Sequence, residues 1–163
     1  MSAPLSTFTG TTIYLDTMLP YALLRGIDPE AKSFFARIER GDIFAYTSVL
    51  TFDELAYRLI LAVVKDRYGG SPLERLRADE ERMLAECAPL VAPHLRQLRD
   101  FPHLTLLDVS AMDLEIMTEA MTQYQIRPRD ALHVAAMRRV ACLDLASNDQ
   151  HFDHIPDIRR FTL

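Results

Sequence analysis

The sequence predicts an α/β protein: a three-layer α/β/α sandwich around a central, mainly parallel sheet of five strands. Three observations carry that expectation. Short β-branched and aromatic runs alternate with longer segments of helical periodicity, the order that yields parallel strands joined by right-handed crossovers. Residues that start and stop helices stand at the joints between these segments. With 49% apolar and 25% charged side chains, a 163-residue chain can bury a substantial core, so residues 1–163 are expected to form a single domain.

The elements follow in order. "TTIYLD" (11–16) is a strand ending on an acid, and "TMLPYALLRG" is a helix stopped by Gly26. Asp28 caps, and Pro29 opens, the helix "PEAKSFFARIER", closed by Gly41. "DIFAYTS" (42–48) is the second strand; the long helix "SVLTFDELAYRLILAVVKDRYGG" then runs to paired glycines. Residues 71–100 form an extended helical segment, opened by the capping box Ser71/Glu74 and expected to break near Pro89 and Pro93. "HLTLLDVS" is the third strand, Ser110 caps "AMDLEIMTEAMTQYQ", whose apolar stripe reads as core in preference to a dimer surface, and Pro128 starts another helix. "ACLDLAS" is the fourth strand and "DIRRFTL" a last, edge strand.

Several function classes are disfavoured. The opening "MSAPLSTFTG" has no basic region followed by an apolar one, and the longest apolar run, "LILAVV" (59–64), is far short of a membrane span. A cytoplasmic protein without a membrane partner is expected. Cys87 and Cys142 lack metal-site spacing and read as buried thiols in a reducing compartment. The net charge of −5 argues against a broad basic nucleic-acid face. Yet 16 of the 18 basic residues are arginine, which leaves a local phosphate site open.

In parallel sheets, function gathers at the carboxyl ends of the strands. Asp16 stands at the end of the first strand and Asp149 shortly past the fourth, with Glu54 and Asp130 in helices beside core strands. Singly, each has an ordinary use. Asp16 can cap the helix at 17–25, Glu54 can complete a capping box with Thr51, Asp130 can neutralise a first turn, and Asp149 can make an Asx-turn. Jointly, four acids on one sheet edge repel one another unless cations neutralise them. Hard oxygen ligands with no His/Cys cluster select Mg²⁺ or Mn²⁺. His133, one turn after Asp130, reads as a packed core histidine, and Asp144 as structural. Arg127 and Arg129 flank the third acid and serve either phosphate or local carboxylates.

Four stretches, "IYLDTMLPYALL", "TSVLTFDELAYRL", "RPRDALHVAAM" and "LASNDQHFDHI", together resemble the PIN-domain nucleases, and within them the toxin ribonucleases of VapBC-type toxin-antitoxin systems. The third and fourth, at this spacing, are the specific part. The resemblance implies an endoribonuclease dependent on Mg²⁺ or Mn²⁺, working as a homodimer and inhibited by a cognate antitoxin. It makes Asp16, Glu54, Asp130 and Asp149 the metal-binding, catalytic acids and Asp153 an optional fifth. Thr17 and Ser147 resemble hydroxyl residues that orient ligands or water, and Arg127 and Arg129 are RNA-binding candidates. The chain departs from the family at Met18, where Asn is frequent, and in the length of 71–100. A catalytically silent PIN-like module binding RNA or protein is the alternative, favoured by those middle helices and opposed by the four acids. A phosphatase or phosphoreceiver ranks low, because Met18 stands where the phosphatase pattern wants a second acid.

Overall fold

The computed structural model describes residues 2–163. Six strands form one sheet: β1 (Ala3–Pro4), β2 (Thr12–Leu15), β3 (Phe44–Ser48), β4 (Leu104–Leu107), β5 (Asp144–Ala146) and β6 (Arg159–Thr162). Their order is β1-β6-β5-β2-β3-β4, and every pairing is parallel. The sixth strand is the addition to the five expected. Two residues including a proline carry no strand pattern, and β1 forms only because β6 offers it an edge, with Ala3 opposite Phe161 and Pro4 opposite Thr162. The segment "DIRRFTL" is therefore an inner strand, and β1 and β4 are the edges.

Seven helices cover the sheet: α1 (Met18–Arg25), α2 (Pro29–Glu39), α3 (Val49–Tyr68), α4 (Pro72–Ala78), α5 (Glu80–Arg99), α6 (Asp113–Tyr124) and α7 (Pro128–Arg139). The two-residue period of β2 divides them into layers. Ile13 and Leu15 point into a core shared with α1, α2, α3 and α5, where Leu19, Phe35, Leu55 and Leu98 are buried. Tyr14 points the opposite way, into a second core with Ala131, Val134 and Met137 of α7 and Ala120 of α6. A small satellite cluster of Val64, Leu76, Met83 and Cys87 ties α4 and the start of α5 to the end of α3.

Local chemistry explains most boundaries. Asp28 Oδ1 accepts the amides of Glu30 and Ala31 at 2.7 and 3.3 Å, and Gly26, at φ 62°, closes α1 in the left-handed region. Two expectations are corrected. The 71–100 segment breaks at Asp79, while α5 runs unbroken through Pro89 and Pro93. Both prolines face solvent, where water can serve the carbonyls that lose an amide partner. Met83, Cys87, Val91 and Leu98 on the opposite face hold the helix to the body. Ser110 does not cap α6, which starts at Asp113; instead the buried Asp113 carboxylate accepts the Ser110 amide at 2.7 Å.

The chain leaves β2 for β3 and β4 on one side, then returns to β5 on the other. The strand order therefore reverses between β2 and β5, and a crevice opens at their carboxyl ends.

Candidate active site

Asp16 follows β2 directly and is held from both sides. The Thr17 amide donates to Oδ1 at 2.7 Å and the Ser147 hydroxyl to Oδ2 at 2.6 Å. Ser147 follows β5, is buried, and accepts the Asp149 amide at 3.0 Å, so one hydroxyl fixes two acids from two strand ends. Glu54 projects from the second turn of α3 and accepts from the buried Thr17 hydroxyl at 2.5 Å. Asp130 lies in the first turn of α7, and its buried Oδ2 has no partner. Asp149 accepts the His151 amide at 2.9 Å and approaches the His151 ring Nδ1 at 2.6 Å.

The ordinary uses of these acids are mostly absent. Asp16 accepts no amide beyond Thr17, Thr51 turns to the Leu15 carbonyl rather than to Glu54, and Asp130 makes no capping bond. Asp149 alone keeps its turn role, as N-cap of the 3-10 turn at Gln150–His154.

All four acids line one polar cavity of about 450 Å³, together with Thr17, Met18, Arg58, Arg127, Asn148 and His151. Another cavity of about 440 Å³, between α1, α2 and α5, is walled largely by apolar side chains such as Leu23, Phe35, Leu98 and Phe101 and holds one acid, Glu39, along with Lys32. The polar cavity is the one where the four acids converge. Met18, at the position where the family often has Asn, offers its sulfur to Arg58 at 3.6 Å. Asp153 is not brought into the cavity: its carboxylate forks the buried Arg160 guanidinium at 2.8 and 2.9 Å. Arg129 pairs with Asp53 at 2.9 Å and Glu54 at 3.3 Å, whereas Arg127 makes no ion pair or side-chain hydrogen bond among the described residues.

The electrostatics split the cluster. Burial pushes the Asp130 carboxyl above its ordinary value, reinforced by the charges of Asp149 and Asp16 and only partly offset by His133 and Arg127. Asp149 moves the other way. Burial opposes its ionisation, but the amide and ring of His151 outweigh that and hold it below the usual carboxylate range. Two groups of side chains offer ligand atoms within 4.8 Å of one another: Asp16, Glu54 and His133, and Asp130, Asp149 and His151. The donors are dominated by hard carboxylate oxygens, and the orphaned Asp130 Oδ2 lacks the partner that a divalent cation would supply. The residues therefore fit a divalent ion. Each group also contains an imidazole, which an all-oxygen expectation did not include. His151 was missed altogether; only its place two residues past Asp149 could have signalled it.

A parallel α/β/α sheet with acids converging at its switch point defines the class of protein. A family model described as PIN domain matches residues 13–158, and the chain belongs to that family. No curated protein matches the sequence significantly. Among solved structures, the fold is similar to VapBC2 from Rickettsia felis bound to a DNA fragment from their promoter, at 15% identity over 93% of this chain and 98% of that one, TM-score 0.57. It is similar to FitAcB from Neisseria gonorrhoeae at 20% identity over 91% and 96%, TM-score 0.55. It is also similar to the sarcin-ricin loop cleaving toxin VapC20 of Mycobacterium tuberculosis at 18% identity over 90% and 98%, TM-score 0.53. Among the described residues no helix is long and apolar enough to cross a membrane.

Proposed function

We propose that this chain is a single-domain endoribonuclease dependent on Mg²⁺ or Mn²⁺, the toxin of a two-protein pair. The observation that carries the reading is the convergence of Asp16, Glu54, Asp130 and Asp149 at the β2/β5 switch point with one carboxylate oxygen buried and unpartnered. A bound divalent ion supplies charge neutralisation at the scissile phosphate and lowers the pKa of a water. The protein's own groups do the rest. Thr17 and Ser147 fix the rotamers of Asp16 and Glu54, so the ligands stand ready before the ion arrives. Arg127, on the cavity wall with no carboxylate to satisfy it, is the candidate contact for an RNA phosphate. Arg129 is already engaged by Asp53 and Glu54 and serves the frame of the site.

RNA as substrate and an antitoxin as partner are supported by the names of the similar structures, which include a loop-cleaving toxin and a toxin-antitoxin complex from Klebsiella pneumoniae. An antitoxin arginine entering the cavity would neutralise the acids in place of the ion. A second copy of the chain has an apolar surface to meet at Met112 and Leu114 of the α6 start, 83% and 50% exposed. The decisive experiment is cleavage of RNA with Mn²⁺ or Mg²⁺ by the parental chain and Asp130→Asn. Metal-dependent cleavage lost in the variant supports the nuclease. RNA binding without cleavage would support the interaction module instead.

A further inference from the structure

His133 is one turn along α7 from Asp130 and only 2% exposed, and its two ring nitrogens have different surroundings. Nδ1 lies 2.8 Å from the Tyr14 hydroxyl, which donates to Ser48 Oγ at 2.7 Å. A phenol has one proton, so the remaining bond runs from His133 Nδ1–H to the Tyr14 oxygen. Nε2 then carries a lone pair and no proton, the form in which an imidazole binds metal. That nitrogen is buried and has no partner in the protein. A buried acceptor left unmatched is destabilising, and a ligand would relieve it. One nitrogen of this ring and carboxylate oxygens of Asp16 and Glu54 all lie within 4.8 Å of one another, a spread that ligands of one shared ion can have. Thr17 and Ser147 hold the two carboxylates in place from the side.

We propose that His133 Nε2 is a ligand of the bound ion, making Asp16, Glu54 and His133 a mixed nitrogen and oxygen site. Such a site favours a transition-metal ion such as Mn²⁺ over Mg²⁺, which prefers an all-oxygen shell. The proposal rests on the metal-dependent nuclease reading for the presence of an ion, and on the buried nitrogen for the identity of its ligand. Asp130, Asp149 and His151 form the second group.

Pulsed EPR of the full chain loaded with Mn²⁺ alone tests this, because directly bound nitrogen couples to the electron spin. The expected result is a coordinated ¹⁴N signal in the parental protein that persists in His151→Gln and is lost in His133→Gln. In His133→Gln, Mn²⁺ affinity should fall by about tenfold or more while Mg²⁺ affinity moves much less. If the buried substitution prevents folding, the parental and His151→Gln spectra still decide. Absence of the nitrogen signal from parental protein that binds Mn²⁺ and cuts RNA would overturn the His133 assignment and leave the nuclease standing. A signal lost in His151→Gln would also overturn it, moving the nitrogen to the group of Asp130 and Asp149. Failure to bind Mn²⁺ at all would remove both readings.

Discussion

Two acid-rich regions of this fold have opposite characters. On the β6 flank, Asp153 forks the buried Arg160 and Asp144 Oδ2 accepts from Arg159 at 2.8 Å, so each acid is matched by a guanidinium. In the crevice between β2 and β5, Asp16 and Asp149 are oriented by hydroxyls, amides and an imidazole, and Asp130 Oδ2 has no partner. Of the four acids only Glu54 pairs with an arginine, Arg129 at 3.3 Å, which Asp53 also holds. An acid with its own arginine is part of the frame, while acids aligned by neutral donors keep their charge for a ligand. The same contrast shows in the titration directions. Arg160 holds the Asp153 carboxyl below its usual range, whereas burial pushes that of Asp130 above it.

Asp130→Asn should give the largest effect: RNA cleavage falls by about a hundredfold or more. Metal-free melting temperature should rise. Asp130 has a raised folded pKa, so its charge destabilises the fold at neutral pH, and that cost fades as pH falls through the raised value toward the unfolded one. The stability gain of Asp130→Asn over the parent should accordingly be present at pH 7 and gone below about pH 4. A variant less stable than the parent that still cuts at the parental rate would remove Asp130 from the site.

Adding Mn²⁺ or Mg²⁺ should stabilise the parental chain by about 2.7 kcal/mol at a hundred times the Kd, read as a rise in melting temperature. Asp130→Asn should show a smaller rise at the same concentration. Equal shifts in both proteins would mean that the ion binds elsewhere.

On the flank, Asp153→Ala should cost about 2 kcal/mol in denaturant unfolding, because it leaves a guanidinium buried with one partner fewer; the wet side of Asp153 keeps the loss from being larger. Cleavage per folded molecule should be unchanged. Since Asp153 has a lowered folded pKa, the pair contributes throughout the neutral range and its contribution is lost as pH falls below the unfolded carboxylate value of about 4. The two aspartates thus predict opposite pH trends. Reduced cleavage in folded Asp153→Ala would place that acid back among the functional ones.

Ser147→Ala should have the smallest stability effect, about 1 kcal/mol for the bonds to Asp16 and the Asp149 amide, with cleavage reduced about tenfold through misplaced ligands. An unchanged rate would show that the strand ends alone fix the two acids.

The layered parallel fold was legible in the sequence because its signals are local. Period-two runs such as "TIYL", the Asp28-Pro29 start and the Gly26 stop each act within a few residues. The four acids were legible as a set because their positions relative to strand ends and helix starts are also sequential facts. Other features depended on partners distant in the chain. Strand β1 exists because β6 is beside it, and α5 continues through two prolines because its opposite face is anchored while the prolines meet water. The family resemblance made Asp153 an optional fifth member of the acid set, but Arg160, seven residues on and across a turn, takes its carboxylate. His133 reads as a core histidine from its apolar neighbours, and only packing reveals that Tyr14 occupies one of its nitrogens and leaves the other buried and unpartnered. Local chemistry thus fixed which elements form and which acids cluster. Tertiary contacts decided which of those charges are neutralised within the protein and which remain for a ligand, because neutralisation depends on distances between residues far apart in sequence.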